Sequence, residues 1–409
     1  MSAEALRIGY VQIRPPGLTE TFIPAEIEAV RAAGATVEMF VANPDGNRRA
    51  EPGRAAVHLL RRPGGLPADL RLLGPPSRAA GGRGLARTLL ASGAATALVD
   101  EIARFDPDVL HAHFVNLPTA VALLVGRRLG RPVTATAHAA DFLLDPDPAA
   151  LGRRLARLRH LFVVSAATAG QLAHRGVPIA TTPHRVVRAG VDARLLDAAP
   201  AGPAAAPGTP TRIVTVARLI PKKGIDTAID AVARLVQAGQ PIRYDVYGDG
   251  PLRAHLRRRI DSAGLTDTVV LHGAVPHPVA TAALADAHIA ALPCRSAPDG
   301  DLDGIPVFLM EAASQGVPVV TTAVSGIPEL VGPDSGWLVP PDDPVALATA
   351  IRAVTAEPVT ARRRAQALLL RLRSEFAPAV QADRLLAVWR DLAGPAPARR
   401  TLLGEGGHR

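Results

Sequence analysis

RIVTVARLIPKKGIDTAIDAVARLV, residues 212–236, holds a strand, a turn and a helix in one stretch. RIVTVA (212–217) reads as a buried strand, a Pro-containing turn follows, and residues 224–237 read as a helix. The unit returns downstream. Strands at 242–248, 268–273, 288–293, 317–322 and 336–340 alternate with helices at 251–263, 277–286, 306–315 and a short one near 326–331. Helices at 343–356, 359–373 and 376–393 follow, and residues 394–409 are expected to form a flexible tail. Upstream, strands at 6–13, 37–43, 108–114, 133–138 and 160–165 alternate with helices at 85–105, 117–129, 149–158 and 166–174, and HRVVRAGVD (184–192) ends that half. Its first helix takes Thr21 as candidate N-cap, carries Ile23, Ile27 and Val30 on one face, and closes at Gly34.

Between the halves, residues 193–211 break the rhythm with a Pro/Ala-rich run. Alternation on both sides of it implies an α/β protein of two doubly wound parallel sheets, each with helices on both faces. The expected boundaries are an N-terminal domain at 1–195, a linker at 196–211 and a C-terminal domain at 212–375. A last helix at 376–393 is expected to pack back towards the N-terminal domain. Ligands of such sheets bind outside the carboxyl ends of the strands, so the function is expected in a cleft between the domains.

The 409 residues are 48% hydrophobic and 20% charged, which excludes a disordered or collagen-like chain and leaves ample material for two cores. A single cysteine, Cys294, excludes a disulfide framework and a multi-cysteine metal centre. The longest apolar runs, 119–126 and 305–310, are too short for a membrane span, and the start shows no basic segment followed by an apolar run. The expectation is a cytoplasmic protein. Its net charge of +9 is uneven, with 24 Arg against 17 acids up to residue 200. Much of the excess lies between Arg48 and Arg87, a segment suited either to plain solvation or to an anionic partner such as the inner face of a membrane. Nucleic acid is disfavoured, because 3 Tyr, 2 Trp and 8 Phe leave few rings for stacking on bases.

Of 46 basic residues only two are lysines, and they are adjacent: Lys222 and Lys223. Arg218 and Lys223 sit just past a strand's carboxyl end, five positions apart, at the start of a helix. Two cations and a helix N-terminus suit a diphosphate, although a solvent-facing loop would carry the same residues. In PDGDLDGIPVFLMEAASQGVPVV (298–320), Pro306 starts and Gly316 stops a helix that carries Glu311 among apolar residues. A carboxylate there requires a partner, either ligand hydroxyls or a structural arginine. Asp303 precedes Glu311 by eight positions, with the amides of Ile305 and Val307 between them, an arrangement fitting a nucleoside diphosphate sugar. In the N-terminal half, His111 and His113 end one strand and His138 follows the next, with Asp141 three residues on. His111 reads as a core residue, whereas His113 and His138 suit sugar binding or acid–base work. Two histidines in HxH plus a distant one give a weak zinc signal, and the Asp299, Asp301, Asp303 run lacks the later glutamate of a calcium loop. YGDGPLR (247–253) lacks the third glycine of a dinucleotide fingerprint, and neither a phosphate loop nor a GxSxG elbow is present.

Along nearly its whole length the chain resembles the family 4 glycosyltransferases of GT-B fold. VARLIPKKGIDTAIDA, YGDGPLR, VLHGAVPH and DGIPVFLMEAASQGVPVVTTAVSGIPELV follow in that family's order. TETFI (19–23), HAHF (111–114) and TAHAADF (136–142) look like the subgroup of exopolysaccharide and colanic-acid-type clusters. The resemblance implies a retaining, metal-independent hexosyltransferase that uses a nucleotide diphosphate sugar, UDP- or GDP-linked, as substrate and needs no cofactor. It implies that Arg218 and Lys223 neutralise the leaving diphosphate, Glu311 holds the ribose, Asp303 the donor sugar, and His138 lies near the anomeric carbon. Gly248, Gly250, Gly273, Gly304, Ile305, Pro306 and Val307 would line the donor side, and Glu20, Thr21, His113 and Asp141 the acceptor side. The acceptor would be a polysaccharide or glycolipid intermediate, lipid-linked in some cases, or a small-molecule natural product. The family usually carries two glutamates where this chain has Asp303 and Glu311, so the sugar contact is expected to shift. Two other classes share the pocket chemistry: a nucleotide-sugar epimerase, with Glu20 and Asp141 as candidate acid–base groups, and a non-catalytic nucleotide-sugar-binding protein.

Overall fold

The computed structural model describes residues 5–17, 20–42, 55–56, 73, 81–143, 147–197 and 209–394. Thr19, most of the basic segment 48–87, linker residues 198–208 and the tail from 395 lie outside them. Seven strands form the first sheet: β1 (Arg7–Gln12), β2 (Thr36–Val41), β3 (Ala55–Ala56), β4 (Val109–His113), β5 (Val133–Ala137), β6 (His160–Val163) and β7 (His184–Val186). Their order is β3-β2-β1-β4-β5-β6-β7. A second sheet holds β8 (Thr211–Val216), β9 (Ile242–Tyr247), β10 (Val269–Gly273), β11 (Ile289–Leu292), β12 (Val319–Thr322) and β13 (Trp337–Val339), in the order β10-β9-β8-β11-β12-β13. Every named strand pair is parallel. All residues of β4, β5, β11 and β12 are buried, as helices on both faces of a sheet require.

Strand order reverses between β1 and β4 in one sheet and between β8 and β11 in the other. Side chains and loops leaving the carboxyl ends of these four strands therefore meet the crevices where doubly wound folds bind ligands. The helix Ile225–Gln237 follows β8 and buries Ile225, Ala228, Ile229, Val232 and Leu235, a stripe at helical spacing against the second core. Its N-cap is Gly224, at φ +62° and with its Cα so close to Pro293 that a Cβ would lie 1.9 Å from the Pro293 carbonyl oxygen. Only glycine meets both conditions, and the turn it closes carries the two lysines.

The helix Pro378–Ala393 crosses back onto the first sheet, where Ala382, Leu385, Leu386 and Trp389 share a core with Ile8, Tyr10, Ile23 and Ile27. Trp389 is fully buried, donates Nε1–H to Thr134 Oγ1 at 3.0 Å, and lies edge-on to Tyr10, His111 and Phe162. A π-type turn, Leu372–Phe376, precedes Pro378 and redirects the chain.

Several local expectations change. Thr21 occupies the N-cap position of Phe22–Ala32, but its backbone is already helical and its hydroxyl makes no capping bond. Short helices at Ala139–Leu143 and Ala193–Asp197 stand where the periodic reading leaves loops, being too short to show a hydrophobic repeat. No helix among the described residues is long and apolar enough to cross a membrane.

Candidate active site

At the end of β8 the chain turns through Arg218 into the single 3-10 turn Pro221–Lys223. Arg218 is exposed and Lys222 buried. Lys223 Nζ lies 2.7 Å from Asp303 Oδ2, while Lys222 Nζ lies 3.0 Å from Asp301 Oδ1 and 3.4 Å from Asp303 Oδ1. Cys294, in the loop after β11, directs Sγ at the same Asp303 oxygen from 3.5 Å. Asp303 is thus occupied on both oxygens by the two lysines, where the sequence suggested that it would face sugar hydroxyls. Burial raises the proton affinity of Asp303, but Lys223 and then Lys222 outweigh it and leave the carboxyl below its ordinary pKa. Lys223 is also desolvated, yet Asp303 holds its ammonium above the usual lysine value against that cost and against nearby Arg218. The same carboxylate, after burial itself, keeps the Cys294 thiol well above the usual range, so this cysteine is an inert, protonated group. Of the lysine pair, Lys222 is a structural ion-pair partner, and Lys223, the one expected at a diphosphate, is held by Asp303.

Glu311 sits on the buried face of Val307–Ser314, with Phe308, Leu309, Met310 and Ala312 around it. Within the protein its partner is a histidine rather than an arginine. His277 Nε2, at the start of the helix His277–Ala285, approaches Glu311 Oε1 at 2.9 Å. Of the glycines expected on the donor side, Gly248 is at φ +135° and a Cβ there would lie 1.9 Å from the Ala217 carbonyl oxygen. A Cβ on Gly250 would meet Leu219 backbone at 2.6 Å. Their immediate role is to let the loop after β9 lie against the Arg218 turn. Gly273 ends β10 and bridges Gly248. Gly304, Ile305, Pro306 and Val307 lead into the Glu311 helix, and Gly304 faces Val164 of the N-terminal domain.

The two domains touch beside this loop. Glu329 accepts from the Ala167 amide at 3.0 Å and from Arg188 at 3.3 Å, and Gln171 donates to Ser325 Oγ at 3.0 Å. Gly326 abuts Ser165 closely enough that a Cβ would lie 2.8 Å from its hydroxyl.

Across from it, β4 and β5 bring three histidines together. His113 Nδ1 is 3.1 Å from His138 Nε2, and His113 Nε2 is 3.0 Å from Glu26 Oε1. Tyr10 donates its hydroxyl to that same oxygen at 2.7 Å. His111 is buried between Thr134 and Thr136, the core position expected of it. Burial and the neighbouring His113 push His138 well below the ordinary histidine pKa; burial, then His113, bring His111 down to about 3. Burial alone would raise Glu26, but His113, His111 and the Tyr10 hydroxyl bring it down to about 2. Phe114, next to His113, has φ +72°, rare for a bulky residue, and packs at a tilt against His138 with ring centroids 4.8 Å apart.

Asp141 is buried and accepts the Val115 amide at 2.5 Å and the His138 amide at 3.0 Å, so it ties the loops after β4 and β5 together. Burial holds its carboxyl well above the usual range despite these bonds. Glu20 pairs with Arg14 and accepts the Gly17 amide at 2.8 Å. Neither arrangement places a free carboxylate in the cleft. Among the described residues, Glu26, His111 and His113 form the one group close enough to hold a metal ion, with ligand atoms within 4.8 Å, and each atom is already engaged by protein.

Glu26, Tyr10 and His277 escaped the sequence reading. Glu26 had a visible signal: it lies three residues after Ile23 and four before Val30, on the apolar stripe of its own helix, the same anomaly that exposed Glu311. Tyr10 carries no signal short of the fold, and His277, though it closes the VLHGAVPH segment, has nothing in the sequence that joins it to Glu311.

Residues 19–195 match the domain described as Glycosyltransferase Family 4, and residues 210–357 match Glycosyl transferases group 1. A relative named as the colanic acid biosynthesis glycosyltransferase WcaL, from Escherichia coli (strain K12), is 47% identical over 152 residues, 37% of each chain. The amylovoran biosynthesis glycosyltransferase AmsK of Erwinia amylovora is 46% identical over 140 residues, 34% of each chain. In these matches the chain spans little more than a third of either relative's length. Sucrose-phosphate synthase from Thermosynechococcus elongatus superposes with a TM-score of 0.69 at 20% identity, covering 95% of this chain and 99% of that one. Anabaena Alr3699/HepE in complex with UDP and glucose superposes with a TM-score of 0.69 at 17% identity, covering 94% and 99%. At such identities the likeness is one of fold, the two-domain GT-B architecture.

Proposed function

The chain belongs to the family 4 glycosyltransferases, and on that premise we propose that it moves a hexosyl group, with retention of configuration, from a nucleotide diphosphate sugar to an acceptor hydroxyl in polysaccharide assembly. The observation that carries this reading is Lys223, held 2.7 Å from Asp303 and five residues past exposed Arg218, at the strand-order switch of the second sheet and one loop from the Glu311 helix. Arg218 and Lys223 neutralise the departing diphosphate, helped by the amides at Ile305–Val307, and Glu311 receives ribose hydroxyls in exchange for, or beside, His277. Preorganised positive charge on the leaving group is then the largest catalytic contribution. Lys223 reaches a diphosphate by loosening its contact with Asp303, so Asp303 serves first to hold the lysine charged and aimed.

In this reading His138 lies beside the transferring sugar, His113 backs it, and no metal or cofactor takes part. The donor carries uridine or guanosine. The acceptor is a polysaccharide or glycolipid intermediate, with peripheral contact at the inner membrane face through segment 48–87. Relatives named for colanic acid and amylovoran synthesis support the polysaccharide assignment. The experiment is thermal stabilisation by UDP, GDP, ADP, dTDP and their common sugars on the wild type and Lys223→Ala. One nucleotide series should raise the wild-type melting temperature, an effect of about 2.7 kcal/mol at a hundredfold excess over Kd, and lose that rise in the variant. Equal stabilisation of both proteins would end the diphosphate assignment.

A further inference from the structure

The geometry points to Glu26 as the positioning residue of the cleft histidines: it takes Nε2–H of His113, so His113 Nδ1 accepts Nε2–H of His138 and leaves His138 a lone pair on Nδ1. The inference rests on the transferase reading for its consequence but not for its structural content.

A neutral imidazole carries one N–H, so a bond made by one nitrogen dictates what the other can offer. Glu26 Oε1 already receives the Tyr10 hydroxyl at 2.7 Å. An ionised carboxylate only accepts, and Glu26 Oε1 is approached from two sides, by the Tyr10 hydroxyl and by His113 Nε2. His113, 3.0 Å away, must therefore donate from Nε2. Its Nδ1 is then the acceptor towards His138 Nε2 at 3.1 Å, and the remaining proton of that contact belongs to His138. The relay runs from β1 through the first helix, β4 and the loop after β5, four separate elements. The rings are held independently: His113 stacks on Tyr10 at 5.8 Å, and His138 packs at a tilt against Phe22 and Phe114 at 4.8 Å each. The backbone of His138 is held by Asp141, which accepts its amide at 3.0 Å.

The consequence is a histidine that accepts and does not donate from Nδ1. What it meets is a hydroxyl, and a sugar or acceptor hydroxyl is the class that supplies one. Glu26 touches no reacting atom in this arrangement. It acts through His113 on the tautomer of His138, as a carboxylate behind a histidine does elsewhere.

The test reads the nitrogens directly, by heteronuclear NMR of histidine-labelled full-length protein near pH 8, with no variant required for the first result. Wild-type His138 should carry its proton on Nε2; a proton on Nδ1, as an imidazolium at His113 would impose, overturns the proposal. Glu26→Gln should give His138 mixed tautomers and a kcat roughly 10- to 100-fold lower, the size carried by partners behind ligating histidines. Its stabilisation by UDP or GDP should be unchanged, and Glu26→Asp should restore part of the rate. Mixed tautomers with full kcat, or reduced kcat with an unchanged His138 spectrum, would each refute the assignment. If the wild type neither binds nucleotide nor turns over, the transferase reading fails, and the relay is then judged on the nitrogen spectra of wild type and Glu26→Gln alone.

Discussion

Replacing Asp303 by Asn removes one negative charge from between two lysines and changes little else in shape. The wild-type carboxylate lies 2.7 Å from Lys223 and 3.4 Å from Lys222, with all three side chains at most 14% exposed. Breaking a buried ion pair costs roughly 3–5 kcal/mol when one charge is left without compensation. Lys222 keeps Asp301 at 3.0 Å, and the amide oxygen of Asn can still accept, so the loss should sit at or below the low end, about 2–3 kcal/mol. For a domain of this size that is a fall in melting temperature of about 5–10 °C. The linkage signs set the pH window. Asp303 is depressed, so its contribution is present above the unfolded carboxyl value of about 3.9 and is lost as pH falls through the folded value. Lys223 is raised, so its contribution holds below about 10.4 and is lost as pH rises through its folded value. The gap between wild type and D303N should accordingly stay flat from about pH 5 to 9 and narrow on either side. In the proposed site a diphosphate must compete with Asp303 for Lys223. Without that competitor, UDP or GDP should raise the melting temperature more in D303N than in wild type, even as turnover falls. Differential scanning fluorimetry across pH, with and without nucleotide, measures both effects. A melting point within one degree of wild type (about 0.3 kcal/mol or less), or a smaller nucleotide response in the variant, would refute the reasoning.

Asp303→Glu keeps the charge and lengthens the arm by one methylene, and should retain most of the turnover in a donor-hydrolysis or transfer assay. Trp389→Ala empties a fully buried site on the first sheet and should cost about 3–5 kcal/mol in denaturant unfolding, whereas Trp389→Phe, losing mainly the bond to Thr134, should cost about 1–2. Gly224→Ala places a Cβ 1.9 Å from the Pro293 carbonyl oxygen at φ +62°; beyond the roughly 1–2 kcal/mol of the backbone term, the clash should move the lysine turn and abolish nucleotide stabilisation.

Much of the second domain was legible because its signals are local. The strand, turn and helix at 212–236 appear within a residue of the reading, since the pattern of burial there is a direct image of the apolar pattern. Glu311 was legible for the same reason: a carboxylate on an apolar helix announces a partner. The identity of that partner was not, because His277 is 34 residues away and belongs to another helix. The sequence singled out Lys223 by its place at the start of a helix, but the acidic partners of the two lysines, Asp301 for Lys222 and Asp303 for Lys223, lie about 80 residues on and came only with the fold. Asp141 and Glu20 illustrate the opposite failure. Both lie in segments that follow strands, which the sequence reads as cleft loops, and both are spent on local backbone and an arginine.

What the amino-acid sequence determined by itself is the alternation of strands and helices, the two-domain α/β class and the cationic turn after β8, because each follows from spacing over a few residues. What the tertiary structure alone decided is the relay Tyr10–Glu26–His113–His138 and the seating of Trp389 behind it. Those groups come from four stretches of the first domain and from a helix nearly at the chain's end. Hydrogen bonds between them depend on distances of about 3 Å, and such distances exist only once parallel strands have been ordered and the last helix has closed over them.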